Sequence, residues 1–254
     1  MLRSPGAVLQ ALAELANAAL LTGLGPGLRP YRLLLLCVAA WFVYTPIHEL
    51  LHVAGCVLTG GTVRELQLSA RYGGHLLARV FDFVRVEGDY AGRLTGFETG
   101  GNDLCHLATT FAPYLLTPLL GFPLLRLGIR RRALLPTAAG LIVGAAPVVG
   151  LFADFYELGS VLATRAASPL CGGFDPTVLR SDDLFRLIGE LARDPARHGA
   201  AGPAGALRAA TLVLLSQALG ALLALYTMAA GLWLIGGAAP SLPAAARSAP
   251  GARA

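Results

Sequence analysis

His48-Glu49-Leu50-Leu51-His52 places two imidazoles and a carboxylate within five residues. On a helix, positions i and i+4 share one face roughly 6 Å apart, so both imidazoles can reach one Zn²⁺ at about 2.0–2.1 Å. Glu49 follows the first histidine. It can take a proton from a water held at such a metal, the general-base role this pattern has in metalloproteases. The five-residue pattern is short and recurs in unrelated chains, and its setting adds what the spacing lacks. It lies inside Leu33–Leu58, one of the most apolar stretches of the chain. An ionisable side chain inside a membrane span costs about 3 kcal/mol or more, so three within five residues call for a function. Pro46 frees a backbone carbonyl and offers a bend beside the two histidines.

A catalytic zinc needs a third protein ligand and an open fourth position. Asp154, Glu157, His106, Asp103 and His75 are the candidates. Depth in the membrane favours Asp154. One span separates its stretch from that of His48, so the two stretches run in the same direction. His48 lies about 16 residues into its stretch and Asp154 about 18–21 into its own, nearly the same depth at about 1.5 Å per residue. Asp154 also interrupts an apolar run, Val149-Gly150-Leu151-Phe152-Ala153-Asp154-Phe155. A metal is the obvious partner for an acid in that position. Glu157 is one turn further on, the second choice or a group supporting the ligands. His106 reads as a histidine at the membrane boundary, and His75 and His198 as exposed.

The elements that must carry these groups follow from composition. Of the 254 residues, 55% are hydrophobic and only 14% charged, against roughly 25% charged in an ordinary soluble domain. This balance indicates a mainly α, polytopic membrane protein. Four stretches are long and apolar enough to span: Leu33–Leu58, Leu107–Leu127, Ala133–Ala163 and Ala209–Ile235. The third has Pro136 and Pro147 as places to bend. An amphipathic or weakly spanning helix over residues 6–23 precedes them, since Gln10 and Glu14 interrupt what would be a signal-peptide core.

Residues 61–100 differ. Thr62–Ser69 alternates as a strand does, Leu77–Val86 does so less cleanly, and Gly60-Gly61, Gly73-Gly74 and Gly100-Gly101 mark turns. A small sheet at the membrane edge is expected, with a free edge for an extended peptide. The chain thus divides into an N-terminal membrane helix (1–30), a membrane core carrying the β-segment (31–164), a polar loop with an amphipathic helix (165–208), a last transmembrane helix (209–236) and a disordered tail (237–254). Ser181 is the expected N-cap of the amphipathic helix, and 194–206 reads as a loose linker.

Cys37, Cys56, Cys105 and Cys171 form no C-x-x-C pair and read as small apolar residues, not a disulfide or zinc-ribbon framework. All twenty basic residues are arginine and the net charge is +5. They are scattered or flank apolar spans, which argues against a nucleic-acid surface. Arg29, Arg32, Arg130-Arg131-Arg132, Arg247 and Arg253 fall on one side of the four-span topology, the cytoplasmic side by the positive-inside rule.

His48-Glu49-Leu50-Leu51-His52-Val53-Ala54-Gly55, followed by Leu58-Thr59-Gly60-Gly61-Thr62-Val63, resembles the site-2-protease family of intramembrane zinc metalloproteases. Ala112-Pro113-Tyr114-Leu115-Leu116 is similar to that family's Gly-Pro-containing span, and the likeness covers about residues 40–160. It departs from the family in having Leu51 where glycine is frequent and Phe155 directly after the aspartate. The resemblance implies that His48, His52 and Asp154 hold Zn²⁺ and that Glu49 is the catalytic base and acid. The substrate would be a membrane-embedded protein or peptide segment, locally unwound and held by strand addition. The resemblance also implies a cytosolic β-segment, opposite to the arginine count, and it favours an integral protein of a bacterial inner (plasma) membrane. Three other readings fit the residues: a non-proteolytic protein of the same fold that binds metal or a partner, a membrane metalloprotease of another class with Glu157 as third ligand, and a transporter lined by these polar groups.

Overall fold

In the computed structural model, residues 4–24, 27–87, 91–167 and 176–236 are described. Cys171 and the tail after residue 236, with Arg247 and Arg253, lie outside them. The described chain is mainly helical with one small sheet. Helix α1 (Pro5–Gly23) starts at Ser4, whose side chain accepts from the Ala7 amide, with proline next in the helix. Helix α2 (Arg29–Leu58) runs 30 residues without a break, and Pro46 is absorbed within it.

The next two expected spans are interrupted. The second comprises α4 (Asp103–Phe111), a 3-10 turn (Ala112–Leu115), a wider π turn (Thr117–Gly121) and α5 (Phe122–Arg131). Pro113, Pro118 and Pro123 explain this, since each removes a donor from the helical ladder. The third comprises α6 (Leu134–Val149), a 3-10 turn (Gly150–Phe152) and, after a kink at Ala153, α7 (Asp154–Ala167). The expected continuous span over 133–163 is therefore two helices, and Asp154 opens the second. Helix α9 (Gly202–Leu234) starts earlier than expected and takes in the end of the supposed 194–206 linker. Among the described residues, five helical stretches are long and apolar enough to cross a membrane: Pro5–Gly23, Arg29–Leu58, Asp103–Arg131, Leu134–Phe152 and Gly202–Leu234. The N-terminal helix belongs with them by length and composition.

The chain divides into two units. One comprises 1–41, 116–145 and 228–254. Within it, α5 and α6 approach so closely that a Cβ on Gly140 would stand 2.3 Å from the Leu125 amide nitrogen. Small residues permit such contacts where helices meet in an apolar environment. Arg29 donates to the Arg132 carbonyl (3.0 Å) and Arg126 to that of Ile235. Arg29 and the Arg130-Arg131-Arg132 cluster therefore share one end of this unit, as the charge pattern suggested.

The other unit comprises 42–115 and 146–227 and holds every candidate site residue named above. Its sheet has the order β2-β1-β3, with β1 (Thr62–Leu68), β2 (Val84–Arg85) and β3 (Gly92–Glu98). β1 runs parallel to β2 (Leu66 opposite Val84) and antiparallel to β3 (Thr62 opposite Glu98, Leu68 opposite Gly92). The alternation over 77–86 is not a strand along its length: α3 (Gly74–Leu77) and turns occupy most of it, leaving two residues to pair. Gly60, Gly73, Gly100 and Gly101 all have positive φ, so the expected turns need their glycines.

Leu66, Leu68 and Val84 are buried against Leu50 and Val53 of α2. Leu50 is two residues from both His48 and His52, about 200° around the helix, so anchoring one face to the sheet turns the imidazoles the other way. Beside this, Tyr156 of α7 packs with Leu179, with Leu184 and Leu187 of α8 (Leu184–Arg193), and with Ala209 and Leu212 of α9. The α7–α9 contact is close: a Cβ on Gly159 would meet the Ser216 carbonyl oxygen at 1.9 Å, and one on Gly220 the Phe155 carbonyl oxygen at 2.1 Å. The cap of α8 is Asp183, not Ser181. The Asp183 carboxylate accepts from the Phe185 and Arg186 amides, while the Ser181 hydroxyl serves Asp183 itself. Arg93 of β3 pairs with Asp182, and Asp103 with Arg165 and Arg180, tying the polar segment to the sheet and to the start of α4.

Candidate metal centre

His48 and His52 lie one turn apart on α2, and Asp154 reaches them from the first position of α7. The Nε2 atoms of the two histidines are 3.1 Å apart. Asp154 Oδ2 stands 3.2 Å from that of His48 and 3.6 Å from that of His52. Four ligands about 2.05 Å from a tetrahedral ion are about 3.3 Å from one another. The three separations bracket that edge, so this donor set has the spacing a small divalent ion requires. His48, His52 and Asp154 are the group of potential ligands that converges among the described residues.

The far nitrogen of each ring explains why the Nε2 atoms meet. His52 Nδ1 lies 2.9 Å from the Thr109 carbonyl oxygen. A carbonyl only accepts, so Nδ1 carries the hydrogen and the neutral ring presents its Nε2 lone pair to the centre. His48 Nδ1 lies 3.0 Å from the hydroxyl of Tyr44, one turn earlier on α2. A partner at the remote nitrogen is what fixes ring orientation and tautomer in metal-binding histidines. On Asp154, the Tyr114 hydroxyl donates to Oδ2 at 2.6 Å. Each potential ligand thus has a buried partner, Tyr44 and Thr109 at the remote ring nitrogens and Tyr114 at the Oδ2 that faces the histidines: Tyr44 is 6%, Thr109 2% and Tyr114 1% exposed.

Glu49 is buried beside the centre, and its side chain rests on the start of β3. A Cβ on Gly92 would fall 2.4 Å from Glu49 Cγ and 2.8 Å from its Cδ. Glycine is therefore needed at Gly92 for the strand to pass the carboxyl group at this distance.

The other candidates are elsewhere. Glu157 Oε1 pairs with His106 Nε2 at 2.8 Å, and Thr110 donates to its other oxygen at 3.4 Å. Asp103 is engaged by two arginines. His75 is exposed at the surface of α3. His198, expected to be exposed, is buried: Nδ1 meets the Val178 carbonyl oxygen (2.9 Å) and Nε2 faces Glu190 (3.5 Å). Cys37, Cys56 and Cys105 carry free thiols.

Sequence reading did not single out Tyr44, Thr109, Tyr114, Gly92 or Gly150. Tyr44 had a usable signal, being four residues before His48 on the same helical face. Thr109 acts through its backbone, which leaves no trace in residue type. The glycines become meaningful only when the groups packed on them are known. No protein-family model, curated protein or solved structure matches the chain.

Proposed function

We propose that this chain is an integral membrane zinc metalloprotease of the site-2 type, seated in a bacterial inner membrane, which hydrolyses peptide bonds of membrane-embedded substrates. The observation that carries the reading is the meeting of His48 Nε2, His52 Nε2 and Asp154 Oδ2 at 3.1–3.6 Å, with Glu49 buried beside them. Two nitrogens and one carboxylate oxygen suit Zn²⁺, and three protein ligands leave room for a fourth. The five long apolar helical stretches among the described residues support the membrane setting. When bound, the metal supplies the Lewis acidity that polarises a peptide carbonyl and makes water nucleophilic near neutral pH.

The rest is done by the chain. His48 and His52 stay oriented through Tyr44 and Thr109. Glu49 takes a proton from the attacking water and returns it to the leaving amine, which sends water's hydrogens to the two new termini. Burial of Glu49 and His52 strengthens the electrostatic interactions within the site. β3 is the outer strand on its side of the sheet and begins against Glu49. An unwound substrate segment pairing with β3 is thereby led past the base, with backbone hydrogen bonds supplying affinity that is tolerant of side-chain sequence.

The test is cleavage of a transmembrane peptide by purified protein in liposomes, with Glu49→Gln as control. The wild type cleaves and the variant does not. Cleavage that survives Glu49→Gln, or a zinc-loaded wild type that cleaves no membrane peptide, counts against proteolysis; the latter leaves a metal-binding protein of this fold.

A further inference from the structure

The geometry points to Tyr114 as a positioning residue of the metal centre, which holds the Asp154 carboxylate in its ligating rotamer from a notch created by Gly150. This rests on the metal site proposed above and extends it beyond its ligands and base.

Asp154 needs outside support. It is the first residue of α7, directly after Ala153, whose backbone (φ −117°, ψ −104°) lies off the helical conformation. A side chain at such a junction lacks a continuous α-helical turn before it to restrict its rotamers. Tyr114 stands at the matching irregularity in the other interrupted stretch, the 3-10 turn Ala112–Leu115. Two non-helical turns at these depths are tolerable only where protein covers them, and Tyr114 and Gly150 are both buried.

The tyrosine is itself held firmly. Its ring packs edge-on to His48 at 5.3 Å between centroids and against Phe155 at 4.5 Å. It therefore touches the side chains of two ligands, by ring contact to one and by a hydrogen bond of 2.6 Å to the other. The hydroxyl fits only because residue 150 has no side chain. A Cβ there would stand 2.0 Å from the phenolic oxygen and 3.0 Å from Cζ. Gly150 and Tyr114 thus form one device: the absent methyl admits the hydroxyl, and the hydroxyl fixes the carboxylate. Partners that orient a ligand in this way typically contribute about 10–100-fold to metal affinity.

The experiment is zinc titration of purified, metal-stripped protein in detergent, in competition with a chromophoric chelator of known affinity. Circular dichroism melting of the metal-free forms checks folding. Wild type, Tyr114→Phe, Gly150→Ala and the double variant are compared. Tyr114→Phe is expected to weaken zinc binding by about 10–100-fold with the metal-free melting temperature unchanged. Gly150→Ala should weaken it comparably by displacing the hydroxyl. The double variant should be no weaker than Tyr114→Phe, because both changes remove the same hydrogen bond. Wild-type zinc affinity in Tyr114→Phe overturns the inference and leaves the metal site standing. Should Tyr114→Phe not fold, Gly150→Ala decides alone: unchanged affinity overturns the inference. A wild type that binds no zinc removes both the site and its support.

Discussion

Gly92→Ala isolates the proposed catalytic role of Glu49 without altering any proposed metal ligand. The new Cβ would sit 2.4 Å from Glu49 Cγ, 2.8 Å from its Cδ and 3.0 Å from a Leu68 methyl carbon. Carbon atoms rest at about 3.5–4.0 Å, so the glutamate stem must retreat by about 1 Å. Leu68 is fully buried and opposes Gly92 in the ladder, which restricts the strand's own retreat. A misplacement of about 1 Å in a catalytic group costs about 10²-fold in rate. That corresponds to about 2.7 kcal/mol of barrier. The assay is cleavage of a transmembrane peptide in liposomes, with kcat and KM measured separately and zinc determined on the same sample. The expected result is kcat lowered about a hundredfold with zinc content unchanged. Wild-type kcat would refute the argument that Glu49 must stand where Gly92 lets it. Loss of zinc would show that the substitution disturbs the ligands instead.

Further outcomes follow from the same geometry. Glu49→Gln should lower cleavage about 10³-fold while zinc affinity, measured by chelator competition, stays near the wild-type value. Asp154→Asn should weaken zinc more than about 100-fold, beyond the effect of losing a supporting partner. Glu157→Gln should change zinc affinity by less than about threefold, since Glu157 faces His106 and not the centre. The reverse order of these two would identify Glu157 as the third ligand. Gly220→Leu should separate α7 from α9, where a Cβ already falls 2.1 Å from the Phe155 carbonyl oxygen, and destabilise the protein in detergent by about 3 kcal/mol or more. A variant with unchanged thermal stability would show that this contact is not needed.

The readable parts of the chain were those where one side chain carries a large solvation cost. His48, Glu49, His52 and Asp154 stand out because their neighbours are apolar, and the structure brings the two imidazoles and the aspartate together. The depth comparison that favoured Asp154 assumed an unbroken helix over 133–163, whereas that stretch breaks at Ala153. It reached a useful answer because a short 3-10 turn changes the rise of the chain by only a few ångströms. What stayed illegible depends on tertiary packing. Alternation over 77–86 resembles a strand, yet Leu77, Ala78, Phe81 and Phe83 pack around the sheet core from a short helix and turns. His198 reads as exposed in a polar, Pro/Gly-rich stretch but is buried through a backbone carbonyl no motif encodes. Ser181 and Asp183 are both good helix caps, and only the local turn chooses between them. The Tyr114–Gly150 pair joins residues 36 apart in two irregular turns, which no periodicity can link.

In the proposed site, two turns of α2 and the start of α7 clasp a divalent ion. Its most direct test is elemental analysis of protein purified without added metal or chelator, beside His48→Ala, His52→Ala and Asp154→Ala. About one zinc per chain in the wild type and in Glu49→Gln, with little in the three ligand variants, is the predicted result. A wild type free of divalent metal that also takes none up on dialysis against zinc, or an Asp154→Ala variant that keeps its full complement, would contradict it.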